Sequence, residues 1–318
     1  MQYLFQTEIP LPWLLMDVLT VLITMLVILF IVHKSEHPLP LLLESFGFVF
    51  LYASIYENFA VVQGWYIYGR SFLMIGDVPL SVPLIELDVF LISLWMLEKM
   101  KIPDWCKPFI VGLMGMLQDF SLDPVSVRQI FITRGIETGR WTWLIEPWMA
   151  NIYDIPVYNF PGWMLIMLYA AIFVLIGRAW YKKSNFKTSV GILYPILAFI
   201  LALLTMVSPL SQFLLWLAPF GSKGSSYEWI MLAFHLIFPL LLLLIFWQGK
   251  MKTPLTLKED YPVLVTFIGF HLADILCTIK SGYTEILWLV VLTSAVHALI
   301  IAWIFLAGRK PKLEKENA

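Results

Sequence analysis

The sequence predicts an all-α polytopic membrane protein with about nine transmembrane helices. Of its 318 residues, 60% are hydrophobic and 14% are charged, and the mean hydropathy is +0.82. A soluble domain carries about 25% charged residues. Apolar stretches of about 20 residues, the length that crosses the hydrocarbon core of a bilayer, recur along the whole chain. No internal repeat or soluble segment interrupts them, so residues 1–318 are expected to form one integral membrane domain.

The predicted spans follow one another closely, except after the fourth. They are 12–32, 40–62, 79–98, 107–123, 160–180, 189–208, 227–247, 261–279 and 284–307. The first lacks the basic segment of a signal peptide and is long enough to span, so we expect it to be a retained helix. The fourth is short and polar at its end, which favours a helix that stops inside protein.

The distribution of lysine and arginine predicts the orientation. With the N-terminus outside, 15 of the 21 basic residues fall in inner connections, as the positive-inside rule requires. We therefore expect the N-terminus outside, the C-terminus inside, residues 308–318 as a cytoplasmic tail, and the cell membrane as the location of this multi-pass protein.

The connection between the fourth and fifth helices, within Met116–Met164, mixes charged and aromatic residues more closely than any other stretch. Connections of about forty residues are usually functional or disordered, and many aromatic residues argue against disorder. The turn 134–139 between IFIT and RWTWL predicts a hairpin in which Trp141 and Trp143 share one face. The sequence thus predicts a long, structured outer connection.

Six carboxylates fall toward the outer ends of predicted helices, where each costs on the order of 3 kcal/mol in hydrocarbon and is a functional candidate. Asp119 and Asp123 are four residues apart and share a helix face, and Pro124 is expected to end the helix at Asp123. Glu86 and Asp88 lie on opposite faces, so only one should reach a common cavity. The other two are Asp17 and Glu57.

Two interpretations of these acids remain open. They could form structural salt bridges with Arg128, Arg134 and Arg140, since ion-pair networks also occupy such positions. However, the acids outnumber these arginines, and an unpaired carboxylic acid in a medium of low dielectric constant keeps its proton. A protonated carboxyl group is what a general acid requires, so the set as a whole favours a reactive site.

His235, His271 and His297 lie near the middle of three consecutive spans, with Asp274 one turn from His271. Three histidines at one depth could bind a metal or a haem. They lack paired metal-ligand spacing, and hydrogen bonds between helices are the commoner role, so no metal is predicted. The chain has no nucleotide or flavin motif and no basic tract, so neither a cofactor nor a nucleic-acid partner is expected.

Five segments together resemble the membrane-embedded carotenoid biosynthesis family, which includes cofactor-independent carotenoid 1,2-hydratases of the bisanhydrobacterioruberin hydratase type. They are YENFAVVQGWYIY (56–68), GDVPLSVPLIE (76–86), LQDFSLDPVSVR (117–128), RWTW (140–143) and IYDIPVYNFPGW (152–163). The resemblance covers residues 40–180, the expected catalytic part, and leaves 181–307 as additional helices. The chain departs from the pattern at Asp154, where a glycine is expected, and at Glu86, where an apolar or aromatic residue is expected.

This resemblance implies a hydratase that needs no cofactor. It would take an acyclic carotenoid or related isoprenoid lipid from the bilayer, and other enzymes of the carotenoid pathway are expected partners. The enzyme would protonate a terminal trisubstituted double bond, and water would capture the tertiary cation. An alkene is a weak base, so the acid must be strong and held in a dry pocket.

Asp119 and Asp123 are the preferred acid and water-orienting groups, with Glu57 and Glu86 as further catalytic candidates, and Arg128 is expected to fix the charge state of one aspartate. Aromatic faces can stabilise the cation. The residues expected to bind substrate are Trp65, Tyr66, Tyr68, Asp88, Arg128, Arg140, Trp141, Trp143, Asn159 and Trp163.

Two other functions fit the sequence. An intramembrane prenyltransferase would use magnesium and a prenyl diphosphate, but Asp119-x-x-x-Asp123 is only part of the acid-rich motif that such an enzyme requires. A non-catalytic transporter or binding protein for isoprenoid lipids would also place polar groups in the membrane. No repeat and no pair of broken helices supports a transporter.

Overall fold

The computed structural model describes residues 9–133, 136–216 and 224–307, and it is predominantly helical (73%). The helices are α1 (Leu11–Lys34), α2 (Pro38–Gly47), α3 (Ser54–Val62), α4 (Ser81–Lys99), α5 (Lys107–Arg128), α6 (Asn159–Lys183), α7 (Thr188–Met206), α8 (Pro209–Leu214), α9 (Ser226–Leu242), α10 (Tyr261–Ser281) and α11 (Thr284–Ala307). Within the described ranges, seven helical segments are long and apolar enough to cross a membrane. The protein is therefore an all-α polytopic membrane protein, and its orientation stays a prediction.

The two other predicted spans, α4 and α5, are long helices of more polar composition. They carry Glu86, Asp88, Asp119 and Asp123 and lie inside the bundle. Helix α5 packs against α4, α6, α10 and α11. Since nearly all of its side chains are buried, its carboxyl groups face protein and not lipid.

Close contact between α5 and α6 depends on two glycines. A Cβ atom at Gly112 would lie 2.8 Å from the carbonyl oxygen of Met164, and one at Gly115 would lie 2.6 Å from Cγ of Met167. Small residues let the backbones of membrane helices approach closely. This contact sets the first turn of α6 beside the last turns of α5, at what we call the site end of the bundle.

Helix α5 continues through Pro124 to Arg128, so the expected end at Asp123 is wrong. A proline inside a helix removes one backbone hydrogen bond, here the bond to the carbonyl group of Phe120. The last turn is still closed by the amide of Gln129, which donates to Ser126 O over 3.2 Å. The second predicted span is also irregular, because a π-helical turn, Phe48–Ala53, joins α2 to α3.

Eight short strands form four two-stranded antiparallel sheets in the connections. They are β1 (Tyr66–Tyr68), β2 (Met74–Ile75), β3 (Val78–Pro79), β4 (Phe131–Thr133), β5 (Ile136–Thr138), β6 (Trp141–Trp143), β7 (Asn151–Ile152) and β8 (Ile155–Pro156). The strands β1 and β6 pair with each other, β2 with β3, β4 with β5 and β7 with β8. The long connection after α5 is thus structured in its described part, as predicted.

The predicted hairpin needs correction. IFIT pairs within β4–β5, whereas the segment RWTWL pairs with β1, which belongs to the connection between α3 and α4. Tyr66 lies opposite Trp143, with ring centroids 4.6 Å apart, and Tyr68 lies opposite Trp141. Aromatic cross-strand pairs of this kind stabilise a short ladder. We call β1 and β6 together the β1–β6 cap. Arg134 and the tail 308–318 lie outside the described residues.

Candidate functional site

The site is built around one turn of α5 and the first residue of α6. The Nδ2 group of Asn159 donates hydrogen bonds to Oδ2 of Asp119 over 2.8 Å and to Oδ2 of Asp123 over 2.6 Å. Both aspartates are buried. The shared face predicted from their spacing is therefore present, and a single amide joins the two carboxyl groups.

The β1–β6 cap closes over Asp123. The indole N–H of Trp141 donates to Oδ1 of Asp123 over 2.6 Å, and that of Trp143 donates to Oδ2 over 3.2 Å. Side chains two residues apart in a strand share a face, which is why both indoles reach one carboxyl group. On the opposite face of β1, Ile67 is exposed.

The same face of the cap carries two tyrosines that bind Glu57 of α3. Tyr66 donates to Oε2 of Glu57 over 2.5 Å, and Tyr68 donates to the same oxygen. Burial raises the pKa of the Tyr66 and Tyr68 hydroxyl groups well above its usual value. Both hydroxyl groups therefore keep their protons at neutral pH and act as donors to the glutamate.

Glu86 of α4 joins the site through a residue that the sequence did not point to. The hydroxyl group of Tyr56 donates to Oε1 of Glu86, and Oε2 of this fully buried glutamate has no hydrogen-bond partner among the described residues. Tyr56 directly precedes Glu57 and begins the segment 56–68, but as one aromatic residue of an apolar span it carries no sequence signal of this role.

A small cavity of about 30 Å³ lies between these groups. Its lining includes two of the acids and most of the predicted substrate-binding aromatic residues. The lining residues are Glu57, Tyr66, Tyr68, Val82, Ile85, Leu122, Asp123, Trp141, Trp143, Asn159 and Trp163. A cavity of this size holds one or two water molecules and no larger ligand.

No described cation pairs with Glu57, Glu86, Asp119 or Asp123. Arg128 pairs instead with Asp154 over 2.7 Å and with Glu285 over 3.2 Å. The expectation that Arg128 fixes the charge of a site aspartate is wrong, because α5 extends beyond Asp123 and carries Arg128 out to the helix end.

Three more predicted substrate-binding residues do not line the cavity. Arg140 donates to Asp17 over 2.8 Å and to Ser81 over 3.2 Å, and so ties the cap to α1 and α4. Asp88 accepts a 2.8 Å hydrogen bond from Thr24 of α1, on the face of α4 away from Glu86, as the spacing predicted. The third, Trp65, packs against Tyr158 beside the site.

The three membrane histidines do not converge. His271 and His297 form a hydrogen bond of 2.8 Å between ring nitrogens, whereas His235 bonds to the carbonyl group of Met231 in its own helix. Over the described ranges, no group of three or more His, Cys, Asp or Glu side chains is arranged to hold a metal ion. Hydrogen bonding between helices is the role that the structure gives to His271 and His297.

Comparison of the chain with protein-family models, with curated proteins and with solved structures finds no match.

Proposed function

We propose that the protein is a cofactor-independent hydratase that adds water to a terminal trisubstituted double bond of an acyclic carotenoid or related isoprenoid lipid. The observation that carries the proposal is a cluster of four buried carboxyl groups without a cation in contact among the described residues. Two of them, Glu57 and Asp123, line a water-sized cavity walled by aromatic rings. The resemblance of residues 40–180 to carotenoid hydratases agrees with this chemistry.

The hydrogen-bond partners of Asp123 favour its ionised form. Three N–H groups, from Trp141, Trp143 and Asn159, point at its two oxygens. An indole or amide N–H can donate but cannot accept. Hydrogen bonds to a carboxylate are stronger than those to a neutral carboxyl group, so three such donors favour the charged form. Asp123 is suited to orient a water molecule and to take its proton.

The partners of Glu57 are of a different kind. Tyr66 and Tyr68 bind it through hydroxyl groups, which can turn to accept a hydrogen bond as well as donate one. Glu57 can therefore hold a proton without leaving a buried group unpaired. We assign it as the general acid, in preference to Asp119, because Glu57 lines the cavity. Asp119 and Glu86 each have one oxygen without a partner among the described residues and serve as neutral acids behind it.

In the proposed step, the O–H bond of Glu57 breaks and its proton adds to the less substituted carbon of the double bond. The π electrons form the new C–H bond and leave a tertiary cation beside the faces of Tyr66 and Trp143, where the ring quadrupole stabilises positive charge. A water molecule held by Asp123 attacks the cation, forms the C–O bond and gives its extra proton to Asp123. Transfer of that proton back to Glu57 restores the enzyme.

The size of the cavity sets a condition on this proposal. About 30 Å³ holds the water but not an isoprenoid end group. Substrate binding must therefore displace side chains of the β1–β6 cap, of which Tyr68 and Trp143 are only partly buried. A cap that closes again over the substrate would exclude bulk water from the cation.

The test is expression in cells that make lycopene, followed by mass analysis of the pigments. The expected result is a pigment that has gained one water molecule. Glu57→Gln and Asp123→Asn should abolish the gain, while Asp88→Asn, a buried carboxyl group outside the cavity, should keep it. An unchanged pigment in cells with folded, membrane-inserted protein would reject lycopene hydration.

A further inference from the structure

A second buried polar cluster lies on the other side of α5 and takes no part in the proposed hydration. Ser121 Oγ lies 2.8 Å from Oδ2 of Asp274 and 2.8 Å from Nδ1 of His271. Nε2 of His271 lies 2.8 Å from Nδ1 of His297. All four side chains are at least nine-tenths buried, and their hydrogen bonds join α5, α10 and α11, with Gln118 and Ser294 as side contacts.

The hydroxyl group of Ser294 in α11 determines which atoms of this cluster are hydrogen-bond donors. Its hydroxyl group donates to the carbonyl group of Val290 over 2.6 Å, so toward Nδ1 of His271, 3.1 Å away, it can only accept. Nδ1 of His271 therefore carries a proton, which it shares between Ser294 and Ser121. The hydroxyl group of Ser121 then has two acceptors, the carbonyl group of Gln118 at 3.0 Å and Oδ2 of Asp274 at 2.8 Å. The shorter contact, to a carboxylate, is the stronger one.

The tautomer of His271 also determines the tautomer of His297. If Nδ1 of His271 is protonated, Nε2 of the neutral ring is an acceptor, and Nδ1 of His297 must donate to it. This leaves Nε2 of His297 as a bare lone pair, and that atom is buried without a partner among the described residues. Each hydrogen bond of this cluster then has its donor on the side of His297 and its acceptor on the side of Asp274.

We propose that His297, His271, Ser121 and Asp274 form an intramembrane proton relay. A proton that binds Nε2 of His297 releases the Nδ1 proton to Nε2 of His271. His271 passes its own Nδ1 proton to Ser121, and the Ser121 hydroxyl proton moves to Asp274. One proton binds at Nε2 of His297, one O–H bond forms at the carboxyl group of Asp274, and each hydrogen bond between these two residues reverses its direction.

The surroundings suit such a relay. His271 and Ser294 border a groove of about 310 Å³ between α10 and α11 that is otherwise lined by apolar side chains. The charged side chains on neighbouring elements have partners elsewhere: Asp119 and Asp123 face the other side of α5, Asp88 binds Thr24 on α1, and Arg140 pairs with Asp17.

The direction of the relay can be tested on the full, unmodified chain, with two variants used only to assign the signals. Purified protein with ¹⁵N-labelled histidine, in nanodiscs at pH 8, should show both His271 and His297 as neutral rings protonated on Nδ1. Assignment uses the loss of signals in His271→Gln and His297→Gln. Any other tautomer in either ring at this pH would overturn the assigned direction. A change in one ring would set two donors or two acceptors against each other, and a change in both rings would reverse the hydrogen bond between them.

The transfer itself can be tested by infrared spectroscopy of hydrogen–deuterium exchange at acidic pH, with the carbonyl band of protonated Asp274 identified by its loss in Asp274→Asn. In His297→Gln, exchange should slow by at least about tenfold, since glutamine cannot pass a proton on. The matched control is His235→Gln, which should exchange as the unmodified protein does. Exchange at the unmodified rate in folded His297→Gln would refute the relay.

Discussion

The indole N–H of Trp141 donates to Oδ1 of Asp123 over 2.6 Å and so joins the β1–β6 cap to α5. Replacing Trp141 with phenylalanine keeps an aromatic ring but removes this donor. A hydrogen bond to a charged group contributes about 1.5–3 kcal/mol, so we expect hydration per folded molecule to fall by roughly tenfold to a hundredfold. Pigment analysis would measure the loss. Trp148→Phe, at an exposed site, is the matched control, and equal activity of the two variants would contradict the role of this bond.

Loss of Glu57 should reduce the activity more than loss of Asp119. Removing a general acid typically costs a factor of about 10² to 10⁴, and we expect Glu57→Gln to lie at the upper end, because the dry cavity offers no substitute. Asp119→Asn keeps an acceptor for Asn159 and should lose much less activity. Turnover relative to folded protein, measured for both variants, separates the two roles. A larger loss in Asp119→Asn than in Glu57→Gln would move the acid to Asp119.

Arg128→Met should leave the chemistry unchanged. Arg128 binds Asp154 and Glu285, both well exposed, and contacts none of the site acids. Ion pairs of this kind contribute about 0–1 kcal/mol, so only a small fall in thermal stability is expected. Activity as a function of pH is the measurement that matters. A shift of the pH profile in Arg128→Met would indicate that Arg128 acts on a site acid, which would contradict the observed geometry.

The orientation of the chain can be tested by fusing a reporter that is active only in the cytoplasm to Ala318. The excess of lysine and arginine in the predicted inner connections leads us to expect a signal. Absence of a signal from a fusion present at normal levels in the membrane would invert the topology and put the site end on the inner face.

Hydration should continue in the presence of a chelator, because the proposed acid is a carboxyl group and the water is held by Asp123. Pigment conversion by membranes with and without chelator measures this. Loss of activity that a divalent metal restores would instead favour the prenyltransferase, whose diphosphate substrate requires magnesium.

Local patterns predicted the helices well. Apolar length marked the spans, and the spacing of Asp119 and Asp123 placed both on one face, because each feature depends only on residues close in the sequence. The pairing of β1 with β6 could not be predicted in this way. It depends on two separate connections meeting in space, and IFIT was an equally suitable local partner for the Trp141 strand.

The electrostatic part of the site was predicted only in outline. Counting acids and arginines indicated that carboxyl groups would be left without cations, and within the described ranges Glu57, Glu86, Asp119 and Asp123 contact none. The choice of partners depended on how far α5 extends, and one extra turn beyond Asp123 was enough to take Arg128 away from the site. The role of Tyr56 depends on the approach of α3 to α4, which no short sequence pattern encodes.

The β1–β6 cap also has a consequence for biosynthesis. Its two strands come from different connections, and Asn159, which joins the aspartates, follows both. Contacts between segments distant in the sequence form slowly, because closing the loop between them costs conformational entropy. During synthesis, α5 must therefore enter the membrane before any donor from Trp141, Trp143 or Asn159 can reach Asp123. The nascent protein carries this aspartate without its later partners, so insertion of α5 should be the step of assembly most dependent on the membrane insertion machinery.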